Sequence, residues 1–202
     1  LDYRPSIVGF FLAIHFILWI TAFEYTYVGN AVTFIALQPL FTLFLEYLFA
    51  REDIRQGVIA GILFALVGSI IISIGDLAVL VDKLLGDLLA IAAAFFAGCY
   101  LFSGRSLRKE IKYFPYLYLI YTYSALFLGI FTLIKGISFT GYGITNYSYF
   151  LALALGPTLI GHSVLNYSVR FLPATIVSLA ILGEPIITTI LAWFILHEKI
   201  TL

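Results

Sequence analysis

Methionine is absent from all 202 residues, cysteine occurs once, and charged side chains make up only 11% of the chain. Each shortage excludes something. A lone Cys99, set in an apolar run, closes no internal disulfide and reads as a small packing residue. A soluble domain carries about 25% charged residues. No water-soluble core of this length hides a chain that is 62% hydrophobic with mean hydropathy +1.07. The bilayer is therefore the solvent. Eleven basic residues balance eleven acidic ones, and no basic face suits nucleic acid. There is no HExxH motif and no metal-ligating cluster, and nothing implies a cofactor. The chain opens LDYRPS, without an initiator methionine or a signal-peptide pattern, and stops at Leu202. Both ends read as those of a fragment of a longer protein. The missing methionine has no physical explanation in the sequence.

What is present is long apolar runs. A span needs about 20 apolar residues, and seven segments qualify: Ile7–Phe23, Asn30–Ala50, Gly57–Gly75, Asp87–Ser103, Tyr116–Ile134, Tyr149–Val169 and Pro173–Leu196. The fold class is all-α, a polytopic membrane helix bundle. Pro115 and Pro173 fall at helix starts, where a missing N–H costs little. Pro39, Pro157 and Pro185 fall inside spans and predict kinks. Tyrosines at span ends (Tyr25, Tyr27, Tyr113, Tyr116, Tyr142, Tyr147, Tyr149) suggest interfacial belts. Gly57, Gly61 and Gly68 give the third span a small face, and Ala90, Ala93, Ala94 and Gly98 give one to the fourth; such faces let helices approach closely.

Basic residues alternate between the two sets of connections. Arg4, Arg51, Arg55, Arg105, Arg108, Lys109, Lys112 and Arg170 fall in one set, and only Lys83, Lys135 and Lys199 in the other. The richer set is expected to be cytoplasmic.

Two stretches repeat each other without a gap. Val28–Ile54 reads VGNAVTFIALQPLFTLFLEYLFAREDI and Ala174–Ile200 reads ATIVSLAILGEPIITTILAWFILHEKI. They agree at Ile35/Ile181, Pro39/Pro185, Thr42/Thr188, Leu45/Leu191, Glu52/Glu198 and Ile54/Ile200. The second and seventh spans cross in opposite directions, so the repeat is inverted. Inverted repeats are the signature of secondary transporters, whose substrate site lies between the halves.

An ionisable group in mid-membrane is expensive, so it usually faces a cavity or a partner. Glu184 is the first candidate. It reads either as a proton carrier or amine partner in a cavity, or as a buried acid tying helices together. Gln38 stands at the equivalent place before Pro39 and breaks the symmetry of the repeat. His15 sits mid-span, with Trp19 one turn later on the same face. His162 and Asn166 share a face of the sixth span. Histidine titrates near neutrality, as proton coupling requires, although a lone helix histidine also serves as an interhelical hydrogen bonder. Asn166 lies closer to the expected cytoplasmic end and reads also as a hydrogen bonder to a neighbouring helix. Tyr100 and Glu46, near span ends, read as interfacial. A membrane-embedded enzyme and a structural membrane protein are the alternatives to transport. Convergence of Glu184, Gln38, His15 and His162 on one cavity separates them.

Several segments carry a family resemblance. LPATIVSLAILGEPIITTILAWFILHEKIT, TYVGNAVTFIALQPLFTLFLEYLFARED, GDLLAIAAAFFAGCYLFSGRSLRK and ALVGSIIIS occur in an order that resembles the ninth, fourth, sixth and fifth helices of the EamA family of the drug/metabolite transporter superfamily. HFILWITAFEYTYVGNA and GHSVLNYSVRFLPA are similar to a bacterial or archaeal subgroup. The resemblance implies ten helices in two inverted five-helix repeats, of which this chain supplies helices three to nine. Residues 1–75 then complete the first repeat, and 84–202 begin the second. It implies a secondary active transporter working by alternating access, not an enzyme. The cargo would be a small metabolite such as an amino acid, and export the direction. The chain would be multi-pass in a prokaryotic plasma membrane, with the lipid bilayer as surroundings and a homodimer as an open expectation.

Overall fold

Lipid offers no partner to backbone N–H and C=O groups, so so apolar a chain must pair them within each segment. A computed structural model describes residues 2–50, 56–73, 80–183 and 187, and among them the regular elements are all helical. In chain order these are α1 (Arg4–Tyr25), α2 (Val28–Ala50), α3 (Gln56–Ser73), α4 (Leu80–Glu110), α5 (Tyr113–Ile134), α6 (Ile144–Ser168) and the short α7 (Ala174–Gly183). Among the described residues, α1, α2, α5, α6 and the Lys83–Glu110 part of α4 are long and apolar enough to cross a membrane. The bundle is polytopic, as expected. The end of the seventh span, with Glu184 and Pro185, lies outside the described residues.

Helix α4 outruns the expected span Asp87–Ser103 at both ends. Hydropathy marks the stretch that suits lipid, whereas a helix continues for as long as its backbone stays paired. Its small face behaves as expected. Ala90, Ala93 and Ala94 are completely buried, against Ala22, Ala31 and Ile35. Gly57, Gly61 and Gly68 of α3 do not: among the described residues nothing approaches within 4 Å of where their Cβ atoms would stand.

Pro39 and Pro157 interrupt the spans that hold them. Helix α2 is α-helical over Val28–Ile35, turns at 36–37, resumes over Gln38–Leu45 and ends in a π-helical stretch, Glu46–Ala50. Pro39 sits in the first turn after the break and has no N–H to give Ile35, four residues earlier. Helix α6 is α-helical over Ile144–Leu153 and π-helical over Ala154–His162, around Pro157, and becomes α-helical again over Ser163–Ser168. Side chains of α5 serve this irregular backbone. The Tyr121 hydroxyl donates to the Thr158 carbonyl at 3.4 Å, and the Tyr113 hydroxyl to the Ser163 carbonyl at 3.0 Å.

Helices α1 and α4 run antiparallel. At one end Arg4 bridges Asp2 and Glu110 (2.9 and 2.6 Å), and its guanidinium holds the Asp2 carboxyl below the usual carboxylate range. At the other end the Thr26 hydroxyl donates to Asp87 at 2.6 Å. There Gly86 lets the backbones meet: a Cβ would stand 2.6 Å from Thr26 N and from the Tyr25 carbonyl carbon. Neither atom can swing aside. Gly86→Ala is expected to cost about 1–3 kcal/mol through overpacking, seen as a lower melting temperature in detergent. Gly61→Ala, in open space among the described residues, is expected to carry no such penalty. Equal melting temperatures for the two variants would refute the tight contact.

The end of α2 meets the start of α7 through Glu46 and Ala174. The repeated helices therefore run in opposite directions. Arg4, Arg105 and Arg108 gather at this same end, hereafter the basic end.

Candidate functional site

The interruption in α2 and the one in α6 face a single cavity of about 500 Å³. Helix α1 contributes His15, Phe16 and Trp19, whose spacing puts them on one face. Helix α2 contributes Ile35 and Gln38, on either side of its break. Tyr100 comes from α4, and Pro157, Gly161 and His162 from the π-helical part of α6. Ala180 and Ile181 of α7 also line the cavity, as does Ile187. The lining is mostly apolar with a few polar groups, as in most small-molecule sites.

Four of the six candidate residues thus converge. His15, Trp19, Gln38 and His162 line one space, and Gln38 is buried there. Glu184 lies outside the described residues. Asn166 does not line the cavity: it stands behind Tyr100, 1% exposed.

The polar atoms are held distinctly. The His15 Nδ1–H donates to the Ala93 carbonyl at 3.1 Å. A carbonyl only accepts, so this bond fixes the tautomer and leaves Nε2 as an acceptor. The His15 ring lies nearly parallel to Trp19, with centroids 6.0 Å apart, and edge-on to His162 at 6.3 Å. Phe16 and Tyr100 meet the His162 ring edge-to-face at 5.3 and 5.8 Å. Among the described residues, Trp19 Nε1 and His162 Nδ1 are buried without hydrogen-bond partners. An indole N–H only donates, so the cavity wall holds an unmet donor, on a ring stacked against that of His15.

Behind the cavity a polar chain runs to the basic end. The Tyr100 hydroxyl takes a hydrogen bond from the Asn166 amide, and Asn166 Oδ1 accepts from Tyr116 at 3.3 Å. The Asn166 carbonyl accepts from Arg108 Nε at 3.0 Å, and Arg108 also donates to the Ile111 carbonyl at 2.6 Å. Tyr100 and Tyr116 are therefore not interfacial. Both are buried, because each hydroxyl has a partner inside the bundle.

Glu46 also departs from expectation. Far from reaching the headgroups, it is completely buried. Its carboxylate accepts from the N–H groups of Ala174 (2.6 Å) and Thr175 (3.1 Å) and from the Thr175 hydroxyl (2.6 Å), and pairs with Arg105 at 3.1 Å. The sequence held a sign of this. Pro173 precedes α7 and has no side chain able to cap it, so the orphan N–H groups need an acid from elsewhere.

The model of the EamA-like transporter family matches residues 4–74 and 84–202. A solved structure described only as "Crystal structure of protein" is similar in fold, with a TM-score of 0.81 at 16% sequence identity; the match covers 100% of this chain and 70% of that one. No curated protein matches the chain.

Proposed function

The chain belongs to the EamA-like transporter family and is a multi-pass membrane transporter of the drug/metabolite type, and from that premise we propose that it moves a small metabolite by alternating access through the cavity between α1, α2, α4, α6 and α7. The supporting observation is the convergence of His15, Trp19, Gln38 and His162 on one space beside two interrupted helices. Broken helices at mid-depth are how transporters place polar groups around a substrate. In this reading residues 1–75 belong to the end of the first moving repeat and residues 84–202 to the beginning of the second. The basic end faces the cytoplasm of a prokaryotic cell, by the excess of Lys and Arg there. Export of an amino acid or related compound is the direction and cargo we favour. Glu184, matched to Gln38 across the repeat, is proposed to add the titratable group.

The test is uptake and binding with the full-length protein in proteoliposomes, across panels of amino acids, purines and sugars. Saturable movement of one class, weakened by Gln38→Leu, is expected. A protein that binds and moves none of them would overturn the reading.

Trp19 gives a finer prediction. Trp19→Phe keeps most of the ring and deletes the unpartnered N–H. A buried unmet donor costs about 1–3 kcal/mol, so the empty variant is expected to melt higher than the parent. If the indole N–H meets the cargo, the variant binds that compound about tenfold more weakly, the loss of a hydrogen bond worth about 1.4 kcal/mol. A higher melting temperature with unchanged affinity would remove Trp19 from the binding site.

A further inference from the structure

Glu46 joins three helices that must part if the cavity is to open at the basic end. Its carboxylate comes from the end of α2, takes three hydrogen bonds from the start of α7 and pairs with Arg105 of α4. Each of these partners lies on another helix. Farther along, the same two helices line the cavity with Ile35 and Gln38 on α2 and Ala180 and Ile181 on α7. Helix α2 is irregular at the contact and α7 one turn beyond it. Glu46 opens the π-helical stretch of α2, and α7 is α-helical only over Ala174–Ser178 before tightening to a 3-10 turn. Irregular turns re-pair their backbone more readily than the middle of a regular helix does.

The repeat makes this contact one-sided. In the gapless match between Val28–Ile54 and Ala174–Ile200, the residue that falls on Glu46 is Ala192. A methyl group cannot accept hydrogen bonds, so the second repeat carries no equivalent acid at that position.

Resting on the transport reading above, we propose that Glu46 is the latch of the gate at the basic end: while its carboxylate holds the start of α7, the cavity is shut toward that end, and release opens it. Among the described residues the partners of Glu46 are not cavity-lining groups, so it is a positioning residue and not part of the binding site. It sets which side the empty transporter prefers to face. Its removal shifts that preference in one direction only, because the second repeat lacks a counterpart.

Side-specific labelling tests this without a substrate. Leu165, on the cavity wall, is replaced by cysteine in a Cys99→Ala background of the full-length protein. Vesicles of both orientations are treated with a membrane-impermeant thiol reagent. With Glu46 intact, labelling from the basic side is expected to be slow. Glu46→Gln keeps the length but presents an amide N–H₂ to donors, and is expected to raise that rate at least tenfold while lowering the rate from the opposite side. Glu46→Asp, one methylene short, is expected to fall between. Unchanged rates, or a rise from both sides as in a merely loosened fold, would overturn the latch. A side-specific switch in a protein that moves no compound would support the latch while overturning the transport reading.

Discussion

Glu46→Leu is expected to destabilise the protein by about 3–5 kcal/mol, the range for removing one partner of a buried charge network. The loss has two parts. The two α7 N–H groups and the Thr175 hydroxyl lose their acceptor in a place closed to water, and Arg105, 15% exposed, loses its carboxylate. For a chain of this size the melting temperature in detergent should drop by on the order of 10 °C. Glu46→Leu and Arg105→Met should not be additive, because the two side chains are in direct contact at 3.1 Å. Strict additivity, or a fall of only a degree or two, would mean that the carboxylate does not organise this end of the bundle.

Arg108→Leu should lower stability by about 2–4 kcal/mol, and Arg108→Lys by roughly half as much. Arg108 is 1% exposed, and the contacts described for its guanidinium are two carbonyls and the rings of Tyr113 and Tyr116, at 5.2 and 5.5 Å. The carbonyls of Asn166 and Ile111 belong to the C-terminal ends of α6 and α4, where groups left unpaired by the helix collect negative partial charge. A hydrogen bond from a charged donor is worth about 1.5–3 kcal/mol, set against the cost of burying the charge. The flat guanidinium spans both carbonyls, whereas an ammonium is a point charge that reaches one well. If lysine matched arginine in thermal unfolding, the two-carbonyl bridge would be wrong.

The sequence was most informative where a residue's chemistry clashed with its depth. His15, Trp19, Gln38 and His162 stand out in apolar runs, and they share a cavity because a bundle in lipid gathers its polar groups inward. The proline interruptions and the antiparallel repeat were legible for a similar reason, since a missing N–H and a swap of direction follow from covalent structure and crossing number. Glu46, Tyr100, Tyr116 and Arg108 were not. All four lie near span ends, where hydropathy suggests contact with headgroups. Hydropathy measures distance along the membrane normal and says nothing about distance from the bundle axis. At the basic end the helix termini are packed together, so their orphan N–H and C=O groups sit inside the protein and draw charged side chains in with them. The small face of α3 meets no neighbour among the described residues. Glycines at helical spacing permit close approach, but a neighbour must be there to use it.

The π-helical stretch of α6 has a consequence for which face that helix shows. A wide turn holds one residue more than an α-turn, and one α-helical residue amounts to about 100° of rotation. The chain after Ala154 is therefore out of phase with the chain before it. Ile144–Leu153 has no buried residue, whereas Ser163 and Asn166 are buried and His162 lines the cavity. Ten consecutive helical residues point in every direction, so the bare first half has no packed neighbour among the described residues, and the phase step bears only on which side chains of the second half turn to the cavity.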